Sequence, residues 1–142
     1  MRVMVLVKSD ERTEAGDLGE EREYAEMGKF NEELVKAGVM LAGEGLHPSS
    51  KGARVRFDGE ERTVIEGPFA GPKDLIAGFW LWKVESLDEA IDWLKRAPFD
   101  KGTEVEIRQV MEAEDFGDVL TPELREQEER LRAQVDTLRK AS

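Results

Sequence analysis

Apolar positions recur along this chain in two periods, and the switches between them mark out the elements. Residues 2–8, Arg-Val-Met-Val-Leu-Val-Lys, are β-branched and apolar with no helix breaker, which predicts a strand near the middle of a sheet. Residues 9–23 read as an acidic loop. From Tyr24 the spacing of Met27, Phe30, Leu34 and Ala37 is helical, with Asn31 and Val35 at the margins of the stripe, and Gly38 supplies a C-terminal stop. Residues 39–46 begin strand-like, after which Gly43 and Gly45 predict irregular or closely approached backbone.

Residues 54–57 and 62–66 flank Asp58-Gly59, the strongest short hairpin signal in the chain, with Glu60 and Glu61 available to lengthen the turn. Gly67-Pro68-Phe69-Ala70-Gly71-Pro72 is expected to be a shaped loop, because both prolines lack an amide donor. In residues 75–84, Ile76, Trp80, Trp82 and Val84 face one side of a predicted strand while Leu75, Ala77, Phe79 and Leu81 face the other. Both faces are therefore expected to be buried. Ser86 and Glu89 form a capping box ahead of a helical stripe, Leu87, Ala90, Ile91, Trp93, Leu94 and Ala97, that ends before Pro98. A last strand over residues 103–111 sets Val105 and Ile107 against Glu104, Glu106 and Arg108.

The order of elements predicts an α+β fold: a ferredoxin-like antiparallel sheet over residues 1–111 with two helices on one face. Residues 112–142 follow as an acidic connector and a C-terminal helix, with Thr121 as N-cap and Pro122 at its first position. Leu124, Leu131, Val135 and Leu138 make a thin apolar line on that helix, suited to docking on a neighbouring surface. No internal repeat stands out. A strand apolar on both sides calls for a cover on the second sheet face, and a second copy packing sheet against sheet, a homodimer, is the economical one. The C-terminal helix of the same chain is the alternative.

Charge narrows the partners. With 32 acidic and 21 basic side chains the net charge is −11, a field that repels phosphate backbones and anionic lipid, so neither nucleic acid nor membrane is expected. No stretch approaches the roughly 18 apolar residues of a membrane span, and the opening apolar run is too short for a signal peptide. The chain has no cysteine, in agreement with a reducing, cytoplasmic compartment.

His47 is the one histidine, the residue type that most readily exchanges protons near neutrality, and Glu44 is its nearest carboxylate in sequence. A lone histidine in a Gly/Pro/Ser-rich turn is also an ordinary loop residue. Glu66, Glu104, Glu106 and Arg108, with Arg56 from the hairpin, are candidates to line a polar cleft on the sheet's uncovered face, or to form an ion-pair network across an interface. Trp80 and Trp82 offer flat apolar surface to an aromatic ligand, or simply core. One histidine without cysteine supports no transition-metal site, and the glycine-bearing stretches match neither a phosphate-binding loop nor a dinucleotide fingerprint, so no cofactor is expected. Ser49-Ser50 has no triad context.

The loop Glu66-Gly67-Pro68-Phe69, Lys73 and the run Gly78-Phe79-Trp80-Leu81 resemble the YCII-related proteins of the DGPF type. So do Gly43-Glu44-Gly45-Leu46, the Asp58-Gly59 hairpin, Asp88-Glu89-Ala90 and Glu106-Ile107-Arg108. The resemblance implies a dimeric α/β barrel built on a ferredoxin-like unit. It also implies an accessory or stress-linked role, since members are often encoded beside extracytoplasmic-function sigma factors. In the YCII branch a histidine and an aspartate in a dimer cleft are a proposed acid/base pair. This chain has no histidine in or before its first helix, and Glu66 stands where the signature has Asp.

Three readings stay open. One is a protein binding a small aromatic or anionic metabolite in a dimer cleft. Another is a cofactor-free isomerase or lyase using His47 or Glu66 as base and Arg56 or Arg108 to hold an anionic intermediate. The third is a protein-interaction module acting through the C-terminal helix.

Overall fold

The computed structural model describes residues 1–141, which form two compact units, Met1–Val110 and the residues from Met111 onward. The first holds β1 (Arg2–Lys8), α1 (Glu11–Glu14), α2 (Glu21–Lys36), β2 (Met40–Gly45), β3 (Ala53–Asp58), β4 (Glu61–Glu66), β5 (Ile76–Lys83), α3 (Leu87–Lys95) and β6 (Val105–Gln109).

Four strands form one sheet in the order β2-β5-β1-β6, antiparallel at every pairing. This is the ferredoxin-like order, with β3 and β4 paired separately as a hairpin between the second and third strands of the sheet. Alternation sorts the central strands: Val3 and Val5 of β1 lie beside Trp82 and Trp80 of β5, all buried on one face. Phe30 and Leu34 of α2 and Ala90 of α3 complete that core, so both helices cover the same face. Phe30 sits edge-on to Trp80, Trp82 and Trp93 at centroid distances of 5.9, 6.4 and 6.4 Å, the arrangement that the ring quadrupoles favour. Met4, Leu6, Phe79 and Leu81 point the other way, are half-buried, and take no part in this core.

Capping sets the ends of the helices. Glu20 and Glu23 form the capping box that starts α2, and Gly38, at φ 73°, closes it with Val39 N–H donating to Leu34 O and Gly38 N–H to Val35 O. The helix thus begins three residues before Tyr24, where an apolar stripe alone has no means of marking it. The expected loop over residues 9–23 also contains α1, capped by the Asp10 carboxylate on Thr13 N–H at 2.7 Å. In the hairpin Asp58 pairs with Glu61, so the turn is Gly59-Glu60 rather than Asp58-Gly59, with Gly59 taking the positive φ of 59° at the first central position. Ile76 leaves the expected alternation and is 38% exposed, because the β1–β5 register shifts between Val7 and Lys8.

In the second unit, 3-10 turns over Ala113–Val119 with a kink at Gly117 lead to α4 (Pro122–Ala141). Thr121 Oγ accepts from Leu124 N–H as expected of the N-cap, and Arg125 donates to the Leu120 and Gly117 carbonyls. Among the described residues no helix is long and apolar enough to cross a membrane.

Candidate functional site

At the end of the sheet where β1 finishes and β5 starts, the chain builds a cleft. Ser9, buried, donates its N–H to Leu75 O at 2.9 Å and so fixes where β1 gives way to α1. The loop beyond α1 is bonded to itself: the Asp17 carboxylate accepts from Gly19 N–H at 2.9 Å and Arg12 Nε at 3.1 Å, while the Tyr24 hydroxyl donates to Leu18 O at 2.6 Å. This loop, the start of α2, the end of β2 and the Pro98-Phe99 turn surround a cavity of about 400 Å³. Its wall combines apolar Met27, Leu46, Ala77 and Phe99 with Asp10, Arg12, Asp17 and His47. A second cavity of about 240 Å³ shares Met27, Gly45, Ala77 and Phe99 as walls and is lined also by Trp80 and Asn31.

Two features shape this second cavity. Trp80 Nε1 donates to Asn31 Oδ1 at 3.0 Å, which holds the indole against α2. A Cβ at Gly43 would lie 2.7 Å from the Trp80 ring, so the glycine read from sequence as a site of close backbone approach is one. Two carboxylates of the cavity of about 400 Å³ have lowered pKa values. Asp10 is held below the ordinary carboxylate range by the Thr13 N–H, and Asp17 by the Gly19 N–H and then the Arg12 guanidinium.

Beside the cleft, the loop after β4 is tied by a second network. Ser49 donates its N–H to one carboxylate oxygen of Glu14 and its hydroxyl to the other, and its Oγ accepts from Phe69 N–H at 2.9 Å. Gly67 N–H donates to Gly52 O at 2.9 Å, the Gly67-Pro68 peptide is cis, and the Arg54 guanidinium lies 3.9 Å above the Phe69 ring. A Cβ at Gly67 would fall 1.7 Å from the Ser49 carbonyl oxygen, which admits no side chain.

The residues singled out from sequence do not converge on one cleft. His47 lines the cavity of about 400 Å³, exposed, and among the described residues it makes no hydrogen bond or ion pair. Trp80 lines the second cavity, whereas Trp82 is wholly buried in the core, its Nε1 without a hydrogen-bond partner among the described residues. Glu106 and Arg108 lie on the opposite sheet face, opposite Leu6 and Met4, joined at 3.3 Å with Lys8 3.5 Å from Glu106. Arg108 and then Lys8 hold the Glu106 carboxyl below its usual range. Glu104 precedes β6, exposed, and its carbonyl accepts from Lys8 N–H. Arg56 and Glu66 lie exposed on the hairpin, and neither lines the two cavities. The tryptophans and the Glu106–Arg108 pair are thus separated by the sheet, because alternation sends them to opposite faces. Asp10, Arg12, Glu14, Asp17 and Ser49 were absent from the sequence candidates. Asp10 alone carried a readable signal, as an N-cap ahead of Glu11-Arg12-Thr13.

A β2-β5-β1-β6 sheet with both helices on one face, and a cleft where its central strands begin and end, defines a ferredoxin-like α+β domain. The YCII-related domain matches residues 1–114, and the chain belongs to that family. An uncharacterised protein of Rhizobium meliloti (strain 1021) is 33% identical over 76 residues, 54% of this chain and 61% of that protein, so the chain spans less than two thirds of the curated relative it matches. Among solved structures, the chain is similar to 5-chloro-2-hydroxyhydroquinone dehydrochlorinase (TftG) from Burkholderia phenoliruptrix AC1100, in complex with 2,5-dihydroxybenzoquinone. The identity is 19%, the TM-score 0.43, and 81% of this chain and 99% of that one are covered.

Proposed function

We propose that this chain binds a small aromatic or anionic metabolite in the cleft at the end of its sheet, in an accessory, cytoplasmic role. The observation that carries the reading is a wall that is apolar at Met27, Ala77 and Phe99 and carries an unpartnered imidazole, His47, at the same cavity. That pairing suits a ligand with a flat apolar body and one polar group. The reading includes a homodimer, supported by the half-buried strip of Met4, Leu6, Phe79 and Leu81 outside the core. A thermal-shift screen with small aromatic acids and lactones tests it, since a ligand at 100 times its Kd stabilises by about 2.7 kcal/mol. A hit whose shift is lost in His47→Ala supports the reading; a panel that leaves the melt unmoved rejects it.

One observation favours a second reading, cofactor-free isomerase or lyase chemistry. His47, the residue type suited to proton transfer near neutrality, lines the same cavity as the Arg12 guanidinium, so a base and a cation border one space that a ligand would fill. In that reading His47 takes the base role in preference to Glu66, which lines neither cavity. Turnover of a hit, abolished in His47→Ala with binding retained, separates catalysis from binding.

A further inference from the structure

The thin apolar line on α4 hides a seven-residue repeat that the search for single hydrophobic positions passes over. Leu124-Arg125-Glu126-Gln127 is followed by Leu131-Arg132-Ala133-Gln134 and then by Leu138-Arg139-Lys140. With leucine as heptad position d, Val135 falls at a, Glu128 at the preceding a, every e position is arginine, and Gln127 and Gln134 occupy g. No residue of α4 is buried, and Leu124, Leu131, Val135 and Leu138 are 44%, 46%, 51% and 71% exposed. A seam of a and d positions is narrower than the apolar face a helix shows to a sheet, and it fits one partner helix.

We propose that α4 pairs with the same helix of a second copy as a parallel, two-stranded coiled coil. The side chains select this occupant. Leucine at d with β-branched Val135 at a favours two strands. In a parallel pair each e position faces a g position of the partner, so arginine meets glutamine, whose side-chain oxygen accepts from guanidinium; antiparallel pairing sets arginine against arginine. Glu128 at a meets its own copy in the seam, and the repulsion between the two carboxylates weakens the pair. The assignment rests on α4 alone and stands or falls independently of the cleft and of the sheet face.

The chain has no cysteine, so single cysteines placed in the full-length protein report the pairing without ambiguity. Leu124→Cys and Leu138→Cys are each expected to form a covalent dimer on mild oxidation, well above the outward-facing control Glu126→Cys. Glu128→Leu is expected to tighten self-association at least tenfold in sedimentation equilibrium. Cross-linking only when the Leu124→Cys and Leu138→Cys proteins are mixed would mean antiparallel pairing and overturn the proposal. A dimer in which neither cysteine exceeds the control would assign self-association to another surface. A monomer, or no response to Glu128→Leu, would leave the seam to a different helix and equally overturn it.

Discussion

Ser49 reaches Glu14 twice, by its N–H at 2.9 Å and by its hydroxyl, across 35 positions of sequence. The same hydroxyl oxygen accepts from Phe69 N–H, so one serine joins α1 to the loop that follows β4. Conservation of shape in that loop therefore depends on a carboxylate from a four-residue helix that also borders the cleft wall.

Glu14→Ala leaves the half-buried Ser49 N–H and hydroxyl without their acceptor, at a cost of about 1–3 kcal/mol. The melting temperature should fall by several degrees, and Glu14→Gln, which keeps a carbonyl oxygen, should lose less. An unchanged melt for the alanine variant would remove the network from the account.

Gly67→Ala forces a Cβ to within 1.7 Å of the Ser49 carbonyl oxygen, so the backbone there must move. Hydrogen exchange should speed up at Gly67 and Phe69, whose N–H groups are bonded to Gly52 and Ser49, and leave β1 protected. Native-like exchange at both amides would contradict the packing.

Asn31→Ala leaves the buried Trp80 Nε1 without an acceptor and should cost about 1–3 kcal/mol in urea unfolding, with a change in tryptophan fluorescence. Asn31→Asp, which keeps an oxygen acceptor, should preserve the wild-type emission. Equal emission from the wild-type and alanine proteins would show that the indole has another anchor.

Asp10, Asp17 and Glu106 are held below their ordinary pKa range in the folded chain, by the Thr13 N–H, the Gly19 N–H and Arg108 first among the causes. Groups depressed on folding stabilise the native state above their unfolded values and lose that contribution as pH falls through the folded ones. Stability should therefore decline below about pH 4. In Asp10→Asn, which remains a good N-cap, the acid limb should be shallower. An unaltered limb would contradict the role given to Asp10.

Much of this fold was legible because burial imposes alternation. Val3, Val5, Trp80 and Trp82 show their common face in the sequence pattern, and Phe30 and Leu34 theirs. What stayed hidden has physical causes. Helix α1 is four residues long with no apolar stripe, so only its Asp10 cap could mark it. The hairpin turn shifted by one residue because Gly59 takes the first central position, which needs positive φ. The Glu14–Ser49 link is a contact between distant positions, and local spacing carries no trace of it. The separation of the tryptophans from the Glu106–Arg108 pair follows from strand parity, which puts the sheet between them.

Amide chemical-shift mapping of the ¹⁵N-labelled protein, titrated with the strongest aromatic or anionic hit from the thermal screen, tests the central claim most directly. The account predicts saturable shifts concentrated at Gly45, Leu46, His47, Ala77 and Phe99, which line the cavity that holds His47, and their loss in His47→Ala. Shifts centred instead on Met4, Leu6, Glu106 and Arg108 would move the site to the other face of the sheet and contradict it.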